Sequence, residues 1–212
     1  ENVAVSNQPG TIDLHVCGQD LGSSSIVGER LESRYPLGKY TVPTVTYADL
    51  MRKYGRPMFL KIDIEGADKE CVLSLTYDTA PPYLSFEAHS DLEEMIEHAH
   101  QCGYRYFKII HQNSFRCVQK QDAMIDRIRH KVVRLMGFAR PQAVRMGGRL
   151  FTLGHSAGPA PWKSDGHFRT REEILRDWKK TKRRGWYDVH ASTRTAFQHT
   201  WQGSSGVLGQ QP

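Results

Sequence analysis

No run of about eighteen apolar residues occurs in the 212-residue chain, so no helical membrane span is expected. A Cys-x-x-Cys pair is also lacking: Cys17, Cys71, Cys102 and Cys117 stand far apart, which argues against zinc and disulfide frameworks. Reduced core thiols are expected instead, and with them a cytoplasmic setting. Despite 18 glycines there is no Gly-x-Gly turn opening a helix, the usual backbone cradle for a dinucleotide phosphate. The start, Glu1-Asn2-Val3-Ala4-Val5, has neither an initiator methionine nor a signal-peptide pattern, and the expectation is a processed or excised piece.

What is present suits one good core with an appended subdomain: 39% hydrophobic residues and ten prolines over this length. The net charge of +6 hides an asymmetry. Residues 1–115 hold ten Lys and Arg against sixteen Asp and Glu, a net of −6, whereas residues 116–190 hold eighteen against seven, a net of +11. An acidic α/β body over 1–115 and a basic C-terminal extension over 116–193 are read from this, with a disordered polar tail at 194–212. A basic patch can recruit phosphates or an acidic partner. Nucleic-acid binding is not expected, because the cations are not interleaved with exposed aromatics and no binding motif is present.

The densest signal lies at Lys61-Ile62-Asp63-Ile64-Glu65-Gly66. The apolar run from Met58 to Ile62 reads as an interior strand of a parallel sheet, releasing its two acids at its carboxyl end. Ala67, Cys71, Val72 and Leu75 then recur at helical spacing, so strand, acidic turn and helix make a crossover unit. A second strand, Pro82 to Phe86, ends in Glu87-Ala88-His89-Ser90, with Ser90 and Glu93 spaced as a capping box for the next helix. Asp63, Glu65, Glu87 and His89 are thereby directed to one edge, the edge at which open α/β sheets bind ligands. Each acid taken alone could equally cap a helix or face water.

Elsewhere, Val3–Val5 and Ile12–Cys17 read as a hairpin about Asn7-Gln8-Pro9-Gly10, and 18–38 as a long surface loop. Thr41–Val45 is extended, and Thr46 caps a short helix over Tyr47–Tyr54. Leu92, Met95, Ile96 and Ala99 form the stripe of a helix ending at Gly103, and Tyr104–Ile110 a strand with His111 at its exit. An amphipathic basic helix is expected over 122–136, a strand over 149–153, a Gly/Pro/Ser loop around Trp162, and a helix capped by Thr170 and Glu173.

Ala4-Val5-Ser6 with Gly10, then Val42 to Leu50, then Lys61 to Asp68, resemble the FkbM-type S-adenosylmethionine-dependent methyltransferases in order and spacing over residues 1–115. Ser156–Pro159 and Gly185–His190 are similar to the C-terminal part of some members, and Asp68 stands where the family usually has glutamate. The resemblance implies a Rossmann-like class I methyltransferase sheet. It also implies S-adenosylmethionine as cofactor and O-methylation of a sugar or small metabolite. Members begin with a strand, a Gly-rich turn and a second acid-ended strand, all of which precede this chain, so an N-terminally incomplete sheet with an edge open to self-association is expected. By the resemblance Asp63 lies beside cofactor and acceptor, and Ala4, Val5 and Ser6 pass near the adenine.

Methyl transfer from a sulfonium is an in-line displacement that asks the protein to hold the acceptor and take its proton. Asp63 is the first candidate for orienting group or base, with Glu87 and His89 next; Glu65 could instead serve the following helix N-terminus. His111 is a further candidate base, and Trp162 either lines an acceptor pocket or anchors its loop. Two other readings stay open: a non-catalytic binding module using the basic segment, and a hydrolase holding Mg²⁺ or Mn²⁺ on Asp63, Glu65, Glu87 and His89.

Overall fold

Thr46 sets the first helix as its sequence predicts: its hydroxyl accepts from the Asp49 amide at 3.0 Å while the Asp49 carboxylate accepts from the Thr46 amide at 2.9 Å, a complete capping box. A computed structural model describes residues 1–17, 36–64, 67–88, 90–118, 143–146, 148–152, 158–180 and 186–193. In chain order the elements are β1 (Ala4–Val5), β2 (Gly10–Cys17), β3 (Pro36–Val45), α1 (Tyr47–Tyr54), β4 (Phe59–Ile62), α2 (Asp68–Leu73) and β5 (Tyr83–Glu87). These are followed by α3 (Leu92–Gln101), β6 (Tyr106–His111), β7 (Arg116–Cys117), β8 (Ala143–Met146), β9 (Arg149–Thr152), α4 (Arg171–Lys180) and β10 (Tyr187–Ser192). The chain is a mixed α/β fold, and no described helix is long and apolar enough to cross a membrane.

The principal sheet has the order β4-β5-β10-β6-β7. β4 and β5 are parallel, and β10 runs antiparallel to both β5 and β6, so β4, β5 and β6 share one direction. α2 makes the crossover from β4 to β5, and α3 carries the chain from β5 to β6. Strand alternation then sorts the sheet into two unlike faces. On one, Ile62, Leu84, Phe86, Phe107, Ile109, Val189 and Ala191 join a buried cluster with Val72, Leu75, Leu92, Met95, Ile96, Ile174 and Trp178 of the helical layer. The other carries a polar row, Lys61–Ser85–His190–Lys108, set side by side by strand register.

That polar row is covered by the segment 158–169. Trp162 packs edge-on to Phe59 at 5.9 Å between ring centroids and tilted on Tyr83 at 4.8 Å. Ser164 meets the row: its carbonyl accepts from Lys108 Nζ at 2.9 Å and its hydroxyl lies 3.0 Å from His190 Nδ1. Phe168 offers its ring face to Lys108 Nζ at 4.5 Å. The backbone of Arg169 bridges to Phe107, and its guanidinium pairs with Asp177 of α4. Trp162 thus anchors its loop to the sheet.

Several expectations change. β1 and β2 do not form a hairpin; β1 pairs in parallel with β3, and β2 pairs antiparallel with β3, giving the order β1-β3-β2. The long β3 offers ten residues as a template, against which the two-residue β1 and the eight-residue β2 both pair. The loop expected over 18–38 ends early, since Pro36–Gly38 already belong to β3, and residues 18–35 lie outside the described residues. β4 is not an interior strand but the end of the five-stranded sheet among the described residues, with Phe59, Leu60 and Lys61 only half-buried. Ser90 does not cap α3: Asp91 takes the N-cap position without a side-chain bond, and the Ser90 hydroxyl turns to the Asp91 carboxylate at 3.2 Å.

β10 comes from the segment read as a basic extension, yet it is wedged between β5 and β6 in the body of the sheet, and α4 packs on β6 and α3. Its alternation of Asp188, His190 and Ser192 with Tyr187, Val189 and Ala191 fits one polar and one apolar face. The strand expected at 149–153 is β9, half of a separate hairpin with β8. The helix expected over 122–136 and the tail at 194–212 lie outside the described residues. Cys71, Cys102 and Cys117 are buried, in line with the expectation of core cysteines.

Candidate active site at the carboxyl edge of the sheet

The parallel pairing of β4 with β5 sets Ile62 beside Phe86, so the next residues, Asp63 and Glu87, emerge next to each other at the carboxyl edge. β10 adds a third acid, because Asp188 is the register partner of Glu87. Lys61 joins the set from within β4. Its Nζ lies 2.9 Å from Asp63 Oδ2 and 3.1 Å from Asp188 Oδ2, one ammonium bridging two carboxylates.

The two carboxylates differ in setting. The side chain of Asp63 is 34% exposed, whereas that of Asp188 is 1% exposed. Burial pushes the Asp188 carboxyl up to about 6; Lys61 opposes the rise, and the nearby charges of Asp63 and Glu87 add to it. Burial works against the charge of Lys61 as well, but Asp188 and Asp63 together more than offset it and hold the ammonium above its ordinary value. With every group ionised the Asp63–Lys61–Asp188 set among the described residues holds two negative charges against one positive.

Of the residues singled out in the sequence, Asp63 and Glu87 are therefore brought together. Glu65 and His89 lie outside the described residues. Ala4, Val5 and Ser6 sit on or just after β1, in the three-stranded sheet. Val5 packs on the main core, and the Ser6 amide donates to the Val45 carbonyl at 3.0 Å. His111 closes a turn, its Nδ1 3.0 Å from Ser114 Oγ and its ring edge-on to Tyr187 at 5.1 Å. Among the described residues no group of three or more His, Cys, Asp or Glu side chains could hold a metal ion.

Asp188 and the bridging role of Lys61 were not read from the sequence. Lys61 stood inside the signal stretch but looked like part of a strand, and Asp188 sits in the middle of the Tyr187–Ser192 alternation, whose strand period was the available clue.

This arrangement, parallel strands delivering Asp63 and Glu87 to one edge, coincides with a family match. The sequence profile of the methyltransferase FkbM domain matches residues 1–106. The chain belongs to the FkbM methyltransferase family. No curated protein and no solved structure matches it. The matched stretch runs from β1 through the start of β6, so it contains Asp63 and Glu87, while β10 with Asp188 lies beyond it. An open groove lies at the other end of the sheet, beside the amino ends of β4 and β5. It has about 450 Å³ and is lined by Arg56, Pro57, Met58, Pro82 and Thr193, far along the strands from the acids.

Proposed function

We propose that this FkbM domain is part of an S-adenosylmethionine-dependent O-methyltransferase acting on a hydroxyl of a sugar or small metabolite, built on a Rossmann-like sheet. The observation that carries the reading is the adjacency of Asp63 and Glu87 at the carboxyl edge of two parallel strands joined by a helical crossover, inside the segment matched to the family.

The edge suits one part of the cofactor in particular. A sulfonium is a fixed cation, and among the described residues the two carboxylates of Asp63 and Asp188 outnumber the single Lys61 ammonium between them, which favours a cation there. When bound, S-adenosylmethionine supplies an electrophilic methyl group. Asp63 and Glu87 are the residues proposed to meet the acceptor: the half-exposed Asp63 carboxylate accepts the hydrogen bond of a hydroxyl and orients its lone pair, and either carboxylate can take the proton that the hydroxyl loses. His89 is retained as a third candidate for that proton, and Ala4, Val5 and Ser6 as the stretch along the adenine.

The test uses the full-length protein with methyl-labelled S-adenosylmethionine and a panel of sugar and small hydroxylated acceptors. Transfer of label to oxygen is the expected result. Calorimetry that detects no binding of S-adenosylmethionine to the full-length protein would defeat the reading.

A further inference from the structure

The geometry points to Asp188 as a positioning residue of this edge: from its buried place on β10 it holds the Lys61 ammonium, and through Lys61 it fixes the Asp63 carboxylate where an acceptor would meet it. This rests on the methyltransferase reading for its consequence, but the coupling itself belongs to the chain alone.

Three observations support it. First, the contact is long-range in sequence, 127 residues apart, and is made by strand insertion rather than by neighbours on one loop. β10 enters between β5 and β6 in the register that sets Asp188 against Glu87 and Ile110, so the carboxylate is delivered to one spot by eleven register pairs, five with β5 and six with β6. Second, burial differs steeply along the chain of three: Asp188 is closed off, Lys61 is 22% exposed in its side chain, and Asp63 is 34% exposed. The inner member is rigidly packed and the outer one is available. Third, Lys61 spends two of its three N–H bonds on the two acids, so a flexible four-carbon stem is pinned at both sides of its head. A carboxylate that must present one lone pair to an acceptor gains from such a fixed neighbour, since a misplacement of about 1 Å at a reacting centre costs about a hundredfold in rate.

The surroundings of Asp188 account for its charges. β4 contributes Lys61 and, at its exit, Asp63; β5 contributes Glu87; β6 contributes apolar Ile110 at the register position, with Lys108 and the buried, neutral His190 one row below. Lys61 is thus the cation in direct contact with Asp188, and the other two acids push against it.

The experiment is a carbon-13 NMR titration of side-chain carboxyls in the full-length protein, with Asp63 and Asp188 assigned through Asp63→Asn and Asp188→Asn. The expected result is that the Asp63 signal moves in step with the titration of Asp188 near pH 6. That movement should disappear in Lys61→Met and in Asp188→Asn, and survive in Lys61→Arg. A merely structural Asp188 would leave the Asp63 signal indifferent to that titration in the wild type, and this outcome overturns the proposal. So does an Asp63 response that persists in Lys61→Met, a variant whose folding does not depend on altering β10. Where label transfer is measurable, Asp188→Asn should lower kcat about a hundredfold with the KM for S-adenosylmethionine within about twofold; an unchanged kcat overturns the proposal. If wild-type protein transfers no methyl group, the methyltransferase reading fails by itself, and the carboxyl titration still decides whether Asp188 governs Asp63.

Discussion

Ser164 Oγ lies 3.0 Å from His190 Nδ1, and this contact is sealed between the 158–169 segment and the polar face of the sheet. His190 is 2% exposed, and burial, with Lys108 and Lys61 nearby, pushes its pKa well below the usual 6.5. The folded chain therefore keeps His190 neutral, while the unfolded chain binds a proton there as pH drops below 6.5. The stability this neutral histidine permits is present above 6.5 and is lost as pH falls. Asp188 acts in the opposite sense: its raised carboxyl takes up a proton on folding between about 4 and about 6, which adds stability as pH falls through that window. The two must be separated by difference. Urea unfolding of the wild type and His190→Gln at several pH values should give curves that converge on acidification below 6.5, the wild type losing up to about 1.4 kcal/mol per pH unit relative to the variant. Parallel curves would show that His190 is not buried neutral.

Lys108 should produce a second signature at the alkaline end. It is 2% exposed, donates to the Ser164 carbonyl and faces the Phe168 ring, and burial brings its ammonium down to about 8. Above pH 8 the folded state releases a proton that the unfolded chain keeps until about 10.5, so stability rises with pH across this interval. Lys108→Met should abolish that rise. Keeping the charge buried at neutral pH costs about 3 kcal/mol, while the variant loses one hydrogen bond and leaves a carbonyl unpaired, so the two should lie within about 1 kcal/mol of each other at pH 7. Urea midpoints at pH 7, 9 and 10 check both statements.

How much of this was legible in the sequence depends on the range of the interaction. The β4–α2–β5 crossover, the Thr46 and Thr170 caps and the stripe of α3 rest on spacings of a few residues, and the structure repeats them; the Thr170 amide, for instance, donates to Glu173 Oε2 at 3.0 Å. The adjacency of Asp63 and Glu87 was legible because both strands end in acids and parallel neighbours align their ends. Asp188 was not. Its role depends on which pair of strands β10 enters, a choice made by tertiary packing of Val189 and Ala191 into the core and invisible to local periodicity. The same holds for β1, which found β3 rather than the nearer β2.

Substitution of Asp63 should separate function from stability. Its ion pair with Lys61 is partly exposed, and such pairs contribute about 0–1 kcal/mol, while Lys61 retains Asp188 when Asp63 is removed. Asp63→Ala in the full-length protein should thus melt within a few degrees of the wild type and lose about 10² to 10⁴ of its methyl transfer, the range expected for a group that handles a proton. Wild-type turnover in a folded Asp63→Ala variant would remove this carboxylate from the chemistry.

Gly158 should tolerate no side chain. It holds φ at +73°, a backbone region that L residues enter at a cost of about 1 kcal/mol, and a Cβ built there would stand 2.7 Å from Phe115 Cδ1. The ring cannot simply swing aside. Phe115 is fully buried, has a positive φ of its own at 53°, packs edge-on to Phe151 at 6.0 Å and belongs to a small cluster with Ile110 and Cys117. Strain and overpacking then add, and Gly158→Ala should cost about 2–4 kcal/mol. Because Gly158 begins the segment that carries Trp162 and Ser164 onto the polar face, the loss should also loosen that cover. Thermal unfolding followed by tryptophan fluorescence reads both effects, and a Gly158→Ala/Phe115→Leu double variant should recover part of the loss by vacating the ring edge. No recovery in the double variant would place the whole cost in the backbone angle rather than in the collision with Phe115.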